Sequence, residues 1–323
     1  MKLPRHIELA NLPTKIEKLE RFFETEKNIY IKRDDQTGSE LSGNKVRKLE
    51  FAIQEAMDLG AKTLITCGGI QSNHARATAA AAKKLGLNCI LVLRSDEEYK
   101  PDGNYFLDIL LGAEIRLVSS EDFSDNLANI LEDIKKECDA KGENGYILPV
   151  GASNGIGTFG YVKAMEEIKS QEDEMGITFD TVVCTVGSAG TYAGLLIANK
   201  LLGLNKKIIG FSVSNTTEEF TKRTKELFVE ASRYLGEEVD ASDDIKIYDD
   251  YVGLGYAISK PEEIEFIKDF ARTEGIILDP VYTGKCMYGF SEELKKGNFE
   301  DSKNILFIHT GGIFGLFPSK DLF

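Results

Sequence analysis

Apolar and polar positions along this chain change period repeatedly, and the changes mark its elements. Behind Gly43 and Asn44, which read as turn and cap, apolar residues recur at Val46, Leu49, Ile53, Ala56 and Met57, one face of a helix. Short strand-like runs then alternate with helical ones. "KTLITC" (62–67) precedes the alanine-rich "SNHARATAAAAKKLG" (72–86), and "NCILVLR" (88–94) precedes "YFLDILLG" (105–112). "EIRLV" (114–118) leads into an amphipathic stretch from Asp122 to Ala140, and "GYILPV" (145–150) follows. Four such β/α units in so short a span predict a small parallel sheet flanked by helices. The glycine-rich "VGASNGIGTFGYV" (150–162) breaks the pattern and reads as a crossing between domains.

The alternation resumes with "DTVVCTV" (180–186), "TYAGLLIANKLLG" (191–203), "KKIIGFSV" (206–213) and an acidic helical stretch from Glu218 to Leu235. "DDIKIYDDYVGLGYA" (243–257), helices at 260–275 and 284–297, and the strand "KNILFIHTGG" (303–312) complete it. The expected architecture is an α/β protein with two open, mostly parallel twisted sheets. A small domain, 51–159, is inserted into a larger one made of 1–50 and 160–323, with a ligand cleft between them.

Composition narrows the function. The 323 residues carry a net charge of −14, which argues against nucleic acid and against anionic membrane surfaces. Five scattered cysteines without a CxxC pair predict neither a disulfide framework nor a zinc knuckle, and three histidines make a metal triad improbable. No apolar run is long enough to span a bilayer and the first residues do not read as a signal peptide, so a reducing cytoplasm is the expected compartment.

Against that acidic background, three turns stand out, each opening a helix where α/β sheets bind ligands. "CGGIQSNHAR" (67–76) places Ser72 and Asn73 at a helix start, which suits a small anion and equally an ordinary N-cap. "VGSAGTYAG" (186–194) has three glycines, two small hydroxyls and no acid; it suits a phosphate, although it is neither a P-loop nor a clean GxGxxG. "SGNKVRK" puts Lys45, Arg47 and Lys48 into the first turn of a helix, where the dipole disfavours cations. A bound phosphate nearby would turn that penalty into attraction. A lysine beside a phosphate site points to pyridoxal phosphate, whose aldehyde takes the amine.

Six motifs make the indication specific: "SGNKVRKLEF", "GGIQSNHAR", "GSAGTYAGL", "GLGYA", "LDPVYTGK" and "HTGG", in that order. Together they resemble the D-cysteine desulfhydrase / 1-aminocyclopropane-1-carboxylate deaminase family of fold-type II pyridoxal-phosphate enzymes, over nearly the whole chain. The resemblance implies a tryptophan-synthase-β-like fold, a homodimer, and a set of roles. Lys45 would carry the cofactor and Lys48 would lie near its phosphate. Asn73 would face the cofactor's 3′ oxygen. Gly187, Ser188, Ala189, Gly190 and Thr191 would cradle the phosphate. Ser72 would receive the substrate carboxylate, and Tyr256 and Tyr282 would face the substrate. Thr283 would lie at the pyridine nitrogen, where the deaminase branch has the glutamate of "VYEG", with Thr310 a second neighbour of the ring. Arg47 is expected in an internal salt bridge. Cys67 and Cys184 are expected to be packing residues, and His74 and His309 to have no catalytic part.

The threonine favours the desulfhydrase branch: α,β-elimination of D-cysteine to pyruvate, ammonia and hydrogen sulfide, with the Lys45 amine as base and a tyrosine protonating the leaving sulfur. Alternatives within the family are the deaminase and lyases acting on L-cysteate, L-cysteine or β-chloroalanine. Outside it stand a dinucleotide-dependent dehydrogenase, for which no GxGxxG with a following acid is present, and a non-catalytic binding protein, which has no use for Lys45.

Overall fold

Strands buried on both faces read as unbroken apolar runs, and "TVVCTV" shows where those faces go. In the computed structural model, which describes residues 3–323, this run is strand β7 (Thr181–Val186). Val182, Cys184 and Val186 point into one core and Val183 into another, as a period of two requires. β7 lies within a six-stranded sheet with β1 (Ile16–Leu19), β2 (Asn28–Lys32), β8 (Lys207–Ser212), β9 (Lys246–Tyr248) and β10 (Asn304–Ile308). Its order is β1-β2-β10-β7-β8-β9, parallel except for β1 against β2.

A second sheet, wholly parallel, has β3 (Thr63–Gly69), β4 (Asn88–Arg94), β5 (Glu114–Val118) and β6 (Gly145–Ile147) in the order β5-β4-β3-β6. Helices cover both faces of both sheets. α1 (Asn44–Asp58), α2 (Asn73–Lys84), α6 (Gly155–Met175), α7 (Gly190–Leu201) and α8 (Thr217–Leu235) share the main core. α3 (Gly103–Leu110) packs beside α2, while α4 (Ser120–Asp125) and α5 (Leu127–Ala140) follow β5; α5 closes the far face of the small sheet. α9 (Pro261–Glu274) and α10 (Thr283–Lys295) close the far face of the large one. A single turn, α11 (Ile313–Leu316), follows the last strand. No helix among the described residues is long and apolar enough to cross a membrane.

Two expectations need correction. The glycine-rich stretch is not a long crossing: only 150–154 is a turn, and from Gly155 the chain is the 21-residue helix α6. Its glycines serve close packing. A Cβ on Gly160 would lie 2.4 Å from the Arg47 carbonyl oxygen of α1, and one on Gly194 of α7 would lie 2.4 Å from that of Thr158 in α6. The proposed domain limits at 50/51 and 159/160 therefore fall inside α1 and α6, two helices that cross each other between the sheets. The hairpin-like pair β1 and β2 was also not foreseen. These strands are short, with Glu17 and Lys18 between the apolar ends of β1, and in β2 Ile29 and Ile31 are buried with the help of β10.

The cations of α1 diverge. Arg47 turns inward, and its Nη2 lies 2.8 Å from Asp34 Oδ1 and its Nη1 3.0 Å from Glu167 Oε2 of α6. Lys32 also pairs with Glu167, and the Tyr161 hydroxyl donates to Asp34 Oδ2 at 2.6 Å. Burial alone would raise the Asp34 carboxyl; the charge of Arg47, with Lys32 and the Tyr161 hydroxyl, outweighs it and holds the carboxyl below its usual value. Arg47→Ala leaves that buried carboxylate short of its main partner and is expected to destabilise by about 3–5 kcal/mol. Urea unfolding measures it; a loss under about 1 kcal/mol, the scale of an exposed pair, would show that the cluster does not hold α1 in place.

Candidate active site

Both sheets end their parallel strands toward the same cleft, where the crevice of an open α/β sheet takes a ligand. A cavity of about 330 Å³ lies there. The small sheet contributes the segments after β3 and β6 and the end of β4; the large one contributes the segments after β7, β8 and β10, and α1 contributes its first turn.

Lys45 enters this cavity because of Gly43. That residue has φ +94°, and a Cβ on it would lie 2.8 Å from the Thr310 carbonyl oxygen after β10. Only glycine lets the turn dock so closely, with Asn44 N–H donating to the same carbonyl at 3.1 Å. Asn44 Nδ2 then donates to Thr191 Oγ1 at 2.9 Å, and Lys45 Nζ donates to Asn44 Oδ1 at 2.9 Å. The Lys45 amine also lies 5.8 Å from the centre of the Tyr282 ring. Burial lowers its pKa to about 8, against the attraction of Asp279 and with help from the charge of Arg76.

Opposite Lys45, Ser72 caps α2 by accepting from Ala75 N–H at 3.1 Å, so both readings of that serine are physically satisfied: it is an N-cap and it lies in the cavity wall. Asn73 and His74 follow it. His74 sits in the first turn of α2 as expected, its Nε2 2.8 Å from the Thr66 hydroxyl, and its pKa is depressed by burial and then by Lys45 and Lys48. On the far wall Gly187, Ser188, Ala189 and Thr191 line the cavity where α7 begins, with Ala189 in the left-handed region at φ +62°. Tyr256 and Tyr282 hydrogen-bond through their hydroxyls at the remaining side. Desolvation raises the pKa of both phenols, and for Tyr282 the neighbouring Tyr256 raises it further.

Three residues expected in the site are not in its wall. Lys48 and Gly190 lie one layer behind. Lys48 Nζ donates to Ser153 Oγ at 3.1 Å, and Ser153 meets Ser188 at 2.8 Å, so Lys48 reaches the loop only through Ser153. Gly190 packs on the same serine, where a Cβ would lie 2.5 Å from its Oγ. Thr283, expected at the pyridine nitrogen, is wholly buried: its hydroxyl donates to Asp279 Oδ1 at 2.7 Å and accepts from Asp279 N–H at 2.9 Å. Asp279 also accepts from the N–H groups of Val281, Tyr282 and Thr283, and so caps α10 and fixes the turn that carries Tyr282.

The sequence reading missed Asp279, Asn44 and Ser153, whose roles depend on partners distant in the chain. It also missed Arg94, which was legible as a cation at the carboxyl end of "NCILVLR"; it lines the cavity with its guanidinium over the Phe123 ring. Among the described residues Lys45 and Arg94 line this cavity, and no carboxylate does. In a chain of charge −14 that suits an anion. Among the described residues the buried hydroxyl of Ser214, in the wall, has no protein partner. An amine of lowered pKa, a glycine-bearing loop at a helix N-terminus and an unpaired hydroxyl fit a phosphorylated aldehyde cofactor.

This arrangement defines a two-sheet α/β enzyme of the fold-type II class. The comparisons agree. The family model described as pyridoxal-phosphate dependent enzyme matches residues 7–311. A Thermotoga maritima protein, provisionally named 1-aminocyclopropane-1-carboxylate deaminase, is 44% identical over 97% of this chain and 98% of its own length. The mitochondrial bifunctional D-cysteine desulfhydrase/1-aminocyclopropane-1-carboxylate deaminase of Arabidopsis thaliana is 41% identical over 99% of this chain and 81% of that protein. A solved structure described as an ACC deaminase homologue superposes with a TM-score of 0.89 at 40% identity, covering 99% of this chain and 95% of the other. The chain belongs to the pyridoxal-phosphate dependent enzyme family, in its D-cysteine desulfhydrase / 1-aminocyclopropane-1-carboxylate deaminase group.

The lowered pKa has a direct consequence. In protein freed of cofactor, acylation of Lys45 should rise with pH through a midpoint near 8, whereas exposed lysines follow their ordinary value of about 10.4. Peptide mapping across a pH series reads both; a Lys45 midpoint with the exposed lysines would contradict the geometry.

Proposed function

We propose that the chain catalyses α,β-elimination of D-cysteine, consuming one water and yielding pyruvate, ammonia and hydrogen sulfide. The carrying observation is the cavity wall, with its lysine, arginine and two paired tyrosines and no carboxylate. Lys45 would hold the cofactor and Asn73 would donate to its 3′ oxygen. The N–H groups and hydroxyls of Gly187 to Thr191 would take its phosphate at the start of α7. When bound, pyridoxal phosphate supplies the electron sink.

Ser72 and the amides at the start of α2 would receive the substrate carboxylate. The amine of Lys45, once released, takes the α-proton; its value near 8 leaves a usable neutral fraction at neutral pH. Tyr282 or Tyr256, protonated and adjoining, gives a proton to the departing sulfur. Among the described residues no acid lines this cavity to hold the pyridine nitrogen protonated, and Thr283 spends its hydroxyl on Asp279. A weaker sink suits a substrate whose β-carbon carries a good leaving group better than one whose strained ring must open. The names of the relatives favour a second reading, deamination of 1-aminocyclopropane-1-carboxylate.

The test compares the two substrates on the cofactor-loaded protein. D-cysteine should release sulfide and pyruvate with a kcat/KM at least about tenfold above that for keto-acid release from the cyclopropane, a difference of about 1.4 kcal/mol. The reverse ratio would give the chain to the second reading. Lys45→Ala should abolish both reactions. Tyr282→Phe should slow sulfide release by roughly a hundredfold, the lower range for a general acid; unchanged release would remove that tyrosine from proton transfer.

A further inference from the structure

Behind Asn73 lies a buried polar chain that the proposed reaction does not use. An asparagine presents nearly the same shape with its oxygen or its nitrogen forward, so its partners decide which end faces the cavity. Arg76, in α2, can only donate. Its Nε lies 3.2 Å from Asn104 Oδ1, and both residues are buried. Asn104 must therefore turn its oxygen to Arg76 and its nitrogen away. That nitrogen donates to the Gln71 carbonyl at 3.0 Å and to Asn73 Oδ1 at 2.9 Å, which uses both its hydrogens. Asn73 must in turn give its oxygen to Asn104. Its own nitrogen makes no hydrogen bond to the protein among the described residues, and Asn73 lines the cavity. The remaining guanidinium nitrogens of Arg76 donate to the carbonyls of Glu40 and Ser42, just ahead of the Lys45 turn. The backbone N–H of Asn104 donates to Gln71 Oε1 at 2.9 Å, which anchors α3 to the same segment.

We infer that Arg76, acting through Asn104, fixes the orientation of the Asn73 amide so that it meets the cofactor as a donor. Asn104 and Arg76 are thus positioning residues. The inference rests on the proposed placement of Asn73 against the 3′ oxygen. A donor there favours the oxygen as an anion, whereas an amide oxygen would repel it. The chain of donors propagates one choice, made by a group that cannot accept, across two amides.

Asn104→Asp tests this, because it keeps the shape and the contact with Arg76 but removes the donor. Its carboxylate would accept from Asn73 Nδ2 and turn Asn73 Oδ1 toward the cavity. The readouts are the pH titration of the visible band of the loaded protein and the cofactor Kd from equilibrium dialysis. The band's midpoint should move up by about one unit and the Kd should rise by roughly tenfold. The other titratable or charged groups are the same in the variant: Lys45, His74, Arg94, Tyr256 and Tyr282 in the wall, and Glu40 and the buried Asp108 of α3 beside Arg76. Asn104→Ala, which merely loses the donor, should shift both readouts in the same direction by less, and supplies the test if the aspartate variant does not fold. Asn73→Ala separates the two levels of the argument. If it moves the band while neither Asn104 variant does, the relay is overturned and the placement of Asn73 stands. If Asn73→Ala leaves the band unmoved, the placement itself is wrong.

Discussion

One helix turn holds three basic side chains, and the structure depends on sending each to a different place. Arg47 is the anchor. Buried with Asp34 on one side and Glu167 on the other, it cannot move without exposing or orphaning a charge. That ties α1 to α6 and to the segment after β2, and so fixes the helix at the junction of the two sheets. Lys48 is then directed at Ser153, behind the glycine loop, and Lys45 is left facing the cavity. The unfavourable dipole of a cationic helix start is offset in the first case by carboxylates. At Lys45 burial weakens the charge itself, lowering the amine to about 8.

The second constraint is what the cavity lacks. The chain carries 53 acidic residues, yet among the described residues none lines this cavity. Asp279 comes nearest in effect. Its two oxygens are occupied by the N–H groups and hydroxyl at the start of α10, so it positions Tyr282; it lines an adjoining pocket that shares Asn73, Arg94, Tyr256 and Tyr282 with this cavity. Its charge still reaches Lys45 and partly opposes the effect of burial. A wall without a carboxylate favours anionic groups over cationic ones, as the proposed function requires.

Much of this was legible in the sequence, and the reasons differ by element. The parallel strands read clearly because burial on both faces makes them continuous apolar runs, as in "TVVCTV" and "CILVL". The turns at Gly43, Ser72 and Gly187, which the structure brings to one cavity, stood out because glycine, small hydroxyls and misplaced cations have local meaning. What failed was anything set by distant partners. The glycines of α6 looked like a linker because the backbone that excludes a side chain at Gly160 and Gly155, from Arg47 of α1 and Glu230 of α8, is remote in sequence. Thr283 looked like a cavity residue because "DPVYTG" does not reveal that its hydroxyl turns back onto Asp279. Asn104 had no local signature at all, since its part comes from α3 lying against α2.

The account stands on a covalent bond between one nitrogen and one aldehyde. Reduction of the cofactor-loaded protein with borohydride, digestion and mass spectrometry locate that bond. The account predicts a single phosphopyridoxyl group on the peptide carrying Lys45, at the ε-nitrogen, with the yellow colour lost from Lys45→Ala. A label on Lys48 or any other lysine, with Lys45 unmodified, would contradict it.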